Sequence, residues 1–118
     1  MKPQAVICSA LLLGGAFATS AAKAEVIEIV TLKLKPGVTA SAFKPIDKAV
    51  ETEYVSKQPG FISRESAGGE NGEWVVILHW NSAKDADASM AKFASAPPAS
   101  NFMSNIDAST LNMKRYDK

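Results

Sequence analysis

Glu73-Trp-Val-Val-Ile-Leu-His-Trp80 (EWVVILHW) decides the fold of this 118-residue chain. After Glu73 its residues are β-branched, aromatic or apolar, as in a strand, yet both alternating faces are apolar. Trp74, Val76, Leu78 and Trp80 share one face, and Val75, Ile77 and His79 the other. Ser82 follows at once as a helix N-cap, with Asp85 three residues on as the acidic partner of a capping box. A strand that needs cover on both faces demands an explanation in so small a protein.

Upstream, Val26 to Leu34 (VIEIVTLKL) alternates and stops at Pro36-Gly37, a strand closed by a turn. Val30, Leu32 and Leu34 share a face with Glu28, while Ile27 and Ile29 lie opposite. Thr39 or Ser41 caps a helix running to about Lys57, with Phe43, Ile46, Val50 and Tyr54 as its apolar stripe. Pro45 suits only a first turn, so the regular helix is expected to begin near Lys44. Pro59-Gly60 ends that unit; Phe61 to Ser66 reads as a short strand and Ala67 to Gly72 as a hairpin-like loop.

Downstream, Ala83, Ala86, Met90 and Phe93 form a second helical stripe, which Pro97-Pro98 stops. Asn101 to Ile106 adds a turn, and Leu111 to Tyr116 is the last strand. The order is β-α-β-β-α-β, which predicts an α+β, ferredoxin-like protomer: one antiparallel sheet with two helices on one face. The opposite face of such a sheet is ordinarily wet and polar. Here it is apolar, and at ~25 cal/mol per Å2 of apolar area its exposure is a large loss. An unshielded patch of that kind marks an interface, and a second copy across a two-fold axis is its expected cover.

Met1 to Ala24 has an early Lys2, an apolar stretch from about Ala5 to Ala18, and small residues at Ala22 and Ala24. That is the layout of a secretory signal peptide, too short in its apolar part to span a membrane comfortably. Residues 1–24 are therefore expected to be cleaved after Ala24, leaving 25–118 as one exported domain, periplasmic or secreted, with no stable membrane anchor. Loss of Lys2 and Lys23 turns the formal net charge from +1 to −1, so no basic surface suggests nucleic acid. The only cysteine, Cys8, lies in the leader and the domain keeps one histidine. Disulfides, Cys-metal sites and thiol nucleophiles are excluded on that count, a structural zinc site is disfavoured, and no metal site is expected.

LKLKPGVTASAF (32–43), KQPGFISRE (57–65), WVVILHWNSAKDADA (74–88) and FMSNIDASTLNMKRY (102–116) together resemble the antibiotic-biosynthesis-monooxygenase-like family of dimeric α/β barrels. The resemblance spans about Val26 to Tyr116 and rests on the order and spacing of individually modest motifs. It implies a ferredoxin-like protomer that pairs its sheet with a partner's and encloses a pocket between sheet and helices. Members include cofactor-free oxygenases of polycyclic aromatics, haem-degrading enzymes and proteins of no assigned activity, among which the fold does not choose.

Within such a pocket Trp80 resembles the tryptophan that lines it in haem-degrading and quinone-forming relatives, and it equally suits an ordinary core. His79 points to the opposite face, as a hydrogen-bonded rim residue or a general base. Haem-degrading relatives carry an Asn on the first strand and a ligating His on the second helix. This chain has Val30 at the first position and no histidine from Ala86 to Pro98, which disfavours haem. Many uncharacterised relatives end in Met-x-His where this chain has Met113-Lys114-Arg115; Arg115 holds either an anionic substrate group or a surface carboxylate.

Glu28 is either a desolvated base or a solvated residue at the strand's end. Arg64 is expected to pair with Glu65, Glu73 or a partner chain. Candidate catalytic residues are thus Trp80, His79 and Glu28, and candidate pocket residues Trp80, Leu78, Val30, Phe102, Tyr54 and Arg115. No cofactor is expected. Three readings stay open: a cofactor-independent monooxygenase of a small aromatic, a non-enzymatic dimer binding a small apolar or aromatic ligand, and a barrel filled by its own side chains.

Overall fold

The computed structural model describes residues 24–118, so the signal peptide expected over residues 1–24 lies, apart from Ala24, outside the described residues. The described residues form four strands and three helices in the order β1 (Val26–Leu34), α1 (Ala40–Glu53), β2 (Phe61–Gly68), β3 (Glu73–Trp80), α2 (Ala83–Phe93), α3 (Ala99–Ser104) and β4 (Ile106–Asp117). Every neighbouring pair is antiparallel in the order β2-β3-β1-β4. The two strands with apolar residues on both faces, β1 and β3, therefore occupy the centre.

The face bearing Trp74, Val76, Leu78 and Trp80 turns to the helices and is buried throughout, with Val26, Leu32 and Leu34 beside it. Phe43 of α1 meets Trp74 edge-on at 5.1 Å and Phe102 of α3 at 5.2 Å, the offset geometries that aromatic pairs prefer. The other face carries Ile27, Ile29, Val75, Ile77 and His79, all half-buried and, among the described residues, under no helix. Ser63 and Glu65 of β2 extend this face on one side, Tyr116 and Lys114 of β4 on the other.

The elements differ from the sequence expectation at their ends. Helix α1 starts at Ala40 under a Thr39 cap whose hydroxyl accepts from the Ala42 N–H at 3.1 Å. Pro45 lies inside it, past the four orphan N–H groups of the first turn, so it forgoes one helical hydrogen bond on an exposed side. The helix ends at Glu53, and Val55–Lys57 forms a separate 3-10 turn. Strand β2 continues to Gly68 because the reversal is compressed into Glu70–Gly72, where Asn71 and Gly72 take positive φ of 56° and 79°.

The stretch near Asn101 is a short helix, and β4 begins at Ile106 rather than Leu111, crossing a register shift opposite Thr31–Lys33. On α2, Ser89 rather than Met90 faces inward; Met90 is 48% exposed. No helix among the described residues is long and apolar enough to cross a membrane.

Candidate functional site

One row of residues crosses the helix-facing side of the sheet. Arg64 lies opposite Leu78, Leu78 opposite Glu28, and Glu28 opposite Arg115. Three charged groups in one row of a core-facing surface are costly unless each is paired. Between this row and the helices lies a cavity of about 320 Å3.

Glu28 is 2% exposed and lines that cavity. The indole N–H of Trp80 donates to its Oε1 at 3.1 Å. Arg115 donates to its Oε2 from Nε at 3.2 Å and from Nη2 at 2.7 Å. A carboxylate accepts about four hydrogen bonds, so among the described residues one acceptor site on Oε1 is left unfilled. Arg115 Nη2 also donates to the exposed Asp87 of α2 at 2.8 Å. The hydrogen bond to Glu28, above all, raises the Arg115 guanidinium above its ordinary pKa, against the opposing effect of its partial burial.

A second buried carboxylate mirrors the first. Asp47, 2% exposed on α1, accepts from Arg64 Nη1 at 3.0 Å and Nη2 at 2.9 Å, from the Trp74 indole at 3.2 Å, and from the Ser66 hydroxyl. Arg64 also reaches the Asp47 carbonyl at 3.3 Å. Three of the five guanidinium N–H donors serve Asp47, and the group itself lines the cavity. Apart from Ser89 the rest of the wall is mainly apolar, with Val30, Tyr54, Leu78, Trp80, Phe93 and Phe102 as its large side chains. The Tyr54 hydroxyl donates to the Ser89 carbonyl and leaves its ring to the cavity.

Trp80, Leu78, Val30, Phe102, Tyr54 and Glu28 thus stand around one space. Arg115 is behind Glu28 rather than in the wall. His79 is on the other side of the sheet, opposite Ile27 and Ser63, away from the cavity. Glu28 is not a solvated strand end, because Arg115 and α2 close over it. Arg64 pairs with Asp47, not with Glu65 or Glu73.

Sequence reasoning missed Asp47, yet a signal was present. Asp47 shares the helical spacing of Phe43, Val50 and Tyr54, so an acid sits where an apolar residue belongs. A larger open groove of about 450 Å3 runs along the Gly68–Glu73 turn; its charged groups, Lys33 and Glu73, are solvent-exposed. It lacks the buried polar group that orients a ligand. Among the described residues no three His, Cys, Asp or Glu side chains gather as metal ligands.

No protein-family model matches the chain, and no curated protein matches it. Solved structures do. SnoaB, a cofactor-independent oxygenase from Streptomyces nogalater, superposes with a TM-score of 0.65 at 15% identity, over 79% of this chain and 91% of that one. A Bacteroides thetaiotaomicron protein of unknown function gives 0.61 at 12% identity, over 82% of this chain and 100% of that one. A provisionally assigned antibiotic biosynthesis monooxygenase from Chloroflexus aurantiacus gives 0.55 at 18% identity, over 80% and 92%. The chain has the ferredoxin-like fold of the antibiotic-biosynthesis-monooxygenase-like proteins.

Proposed function

We propose that this chain, on that fold, is an exported homodimer whose cavity acts as a cofactor-independent monooxygenase site for a small, electron-rich aromatic. The observation that carries the reading is Glu28: a carboxylate 2% exposed, facing an apolar cavity, with one acceptor site unfilled. Such a group is placed to take a proton from an acidic O–H or C–H of a bound ring. The carbanion so formed, or the phenolate through its ring carbon, holds the electrons that reduce dioxygen. A C–O bond forms and the O–O bond breaks with loss of water. The balance is one ring methylene and one dioxygen giving one carbonyl and one water. Trp80 and Leu78 flank the ring, Arg115 and Trp80 fix the carboxylate, and the apolar walls keep water from the intermediate.

Oxygen uptake with a panel of phenols and aromatic ketones tests this. Uptake by the native protein should fall on the order of a hundredfold or more in Glu28→Gln. A second reading, a binding dimer without turnover, draws on the same walls; it predicts ligand-dependent thermal stabilisation with no oxygen uptake. The dimer itself is supported by the apolar face of Ile27, Ile29, Val75 and Ile77, which no helix of the described residues covers. Export belongs to the same proposal, and N-terminal sequencing of secreted or periplasmic material should begin at Glu25. A start elsewhere contradicts it.

A further inference from the structure

Six large apolar side chains are exposed among the described residues: Ile62, Met90, Met103, Leu111, Met113 and Tyr116. Four of them line the one cavity that holds Glu28. Met90 comes from α2, Met103 from α3, and Leu111 and Met113 from β4, at 48%, 37%, 44% and 37% exposure. Three separate elements therefore bring apolar side chains to one rim. Inside, Glu28 and Arg64 are nearly wholly buried. The order of polarity is the reverse of an ordinary surface cleft, with charge at the bottom and apolar side chains at the mouth.

That order selects a ligand by its shape and its two ends. A polar group that enters first meets the free acceptor of Glu28, and whatever follows it lies on methionine and leucine. A volume of about 320 Å3 is at the small end for ligand cavities, so it suits one substituted ring and leaves a longer substituent at the rim. Methionine, unbranched and with three rotatable bonds, adapts to a chain better than a rigid wall does. Its repetition at the mouth and absence from the floor fit that division. The rim is continuous with the cavity, so one molecule covers both.

We infer that the cavity takes a phenol carrying an apolar chain, the hydroxyl on Glu28 and the chain laid across Met90, Met103, Leu111 and Met113. The inference rests on the reading of the cavity as a ligand site. It adds which end of the ligand enters and what the other end is made of.

Titration of tryptophan fluorescence with 4-alkylphenols from ethyl to octyl tests it on the intact protein. Each added methylene should tighten binding about fourfold while the chain still contacts the rim, then cease to matter. In Met103→Gln/Met113→Gln the gain per methylene should fall below about twofold. Flat affinities along the series, with 4-ethylphenol still bound, overturn the chain assignment alone. An undiminished gain in the double variant also overturns it, because the chain then lies elsewhere. No binding by any member overturns the ligand-site reading as well.

Discussion

The indole N–H of Trp80 donates to Glu28 Oε1 at 3.1 Å, across two neighbouring central strands and wholly inside the fold. Trp74 makes the same bond to Asp47 at 3.2 Å. Both carboxylates are also held by an arginine: Glu28 by Arg115 and Asp47 by Arg64. The protein thus tolerates two buried acids between sheet and helices, one on β1 and one on α1, by giving each an indole and a guanidinium. The two differ in one respect: Asp47 spends its acceptor sites on protein donors, while Glu28 keeps one for the cavity.

Trp80→Phe removes a donor from a buried carboxylate while preserving most of the ring. The expected cost is about 1–3 kcal/mol, read from the shift in the urea unfolding midpoint. The same substitution should take away more of any ligand-induced fluorescence change than Trp74→Phe, because Trp80 lines the cavity and Trp74 does not. An equal response from both variants would contradict the placement of the ligand beside Trp80.

Asp47→Ala strands Arg64, Ser66 and Trp74 at once. Removing one partner of a buried ion pair costs about 3–5 kcal/mol, a large share of a small domain's stability. Denaturant unfolding should show it clearly, and a loss below about 1 kcal/mol would mean the pair is solvated in solution.

Gly60 and Gly37 separate backbone strain from crowding. Both have positive φ, 85° and 88°, but a Cβ at Gly60 would stand 2.2 Å from Asp85 Oδ2, whereas Gly37 has open space. Gly37→Ala should cost about 1 kcal/mol. Gly60→Ala should cost more, because it also displaces the aspartate whose N–H and carboxylate meet the Ser82 hydroxyl at the start of α2. Thermal unfolding of the pair decides, and equal losses would contradict the crowding at Gly60.

The outer face predicts assembly. Ile29 and Ile77 are directly paired on β1 and β3 in its centre, so Ile29→Asp/Ile77→Asp should dissociate the dimer by placing two charges in an apolar interface. Light scattering at micromolar concentration should give twice the protomer mass for the native chain and the protomer mass for the variant. A monomeric, stably folded native protein would refute the sheet-on-sheet argument.

The sheet was legible because EWVVILHW and VIEIVTLKL carry a period of two with no breaker inside, and because Pro36-Gly37 and Pro59-Gly60 mark turns with residues that fix them. Element ends were less so. Pro45 reads locally as a helix boundary, yet the buried stripe beginning at Phe43 carries α1 through it. Met90 reads as core from its spacing and is exposed because the cavity opens there. The strand residues of the wall, Val30, Leu78 and Trp80, followed from alternation on the Trp80 face. The partners of the two acids did not, since Glu28 with Arg115 and Asp47 with Arg64 join residues 87 and 17 positions apart. Only the folded sheet register brings the first pair together.

A crystal structure of the protein with 4-propylphenol tests the central claim most directly. The account predicts the ring against Trp80 and Leu78 with its hydroxyl about 2.7 Å from Glu28 Oε1. An empty cavity with the phenol bound elsewhere, or a ring turned so that its hydroxyl faces the methionine rim, would contradict it.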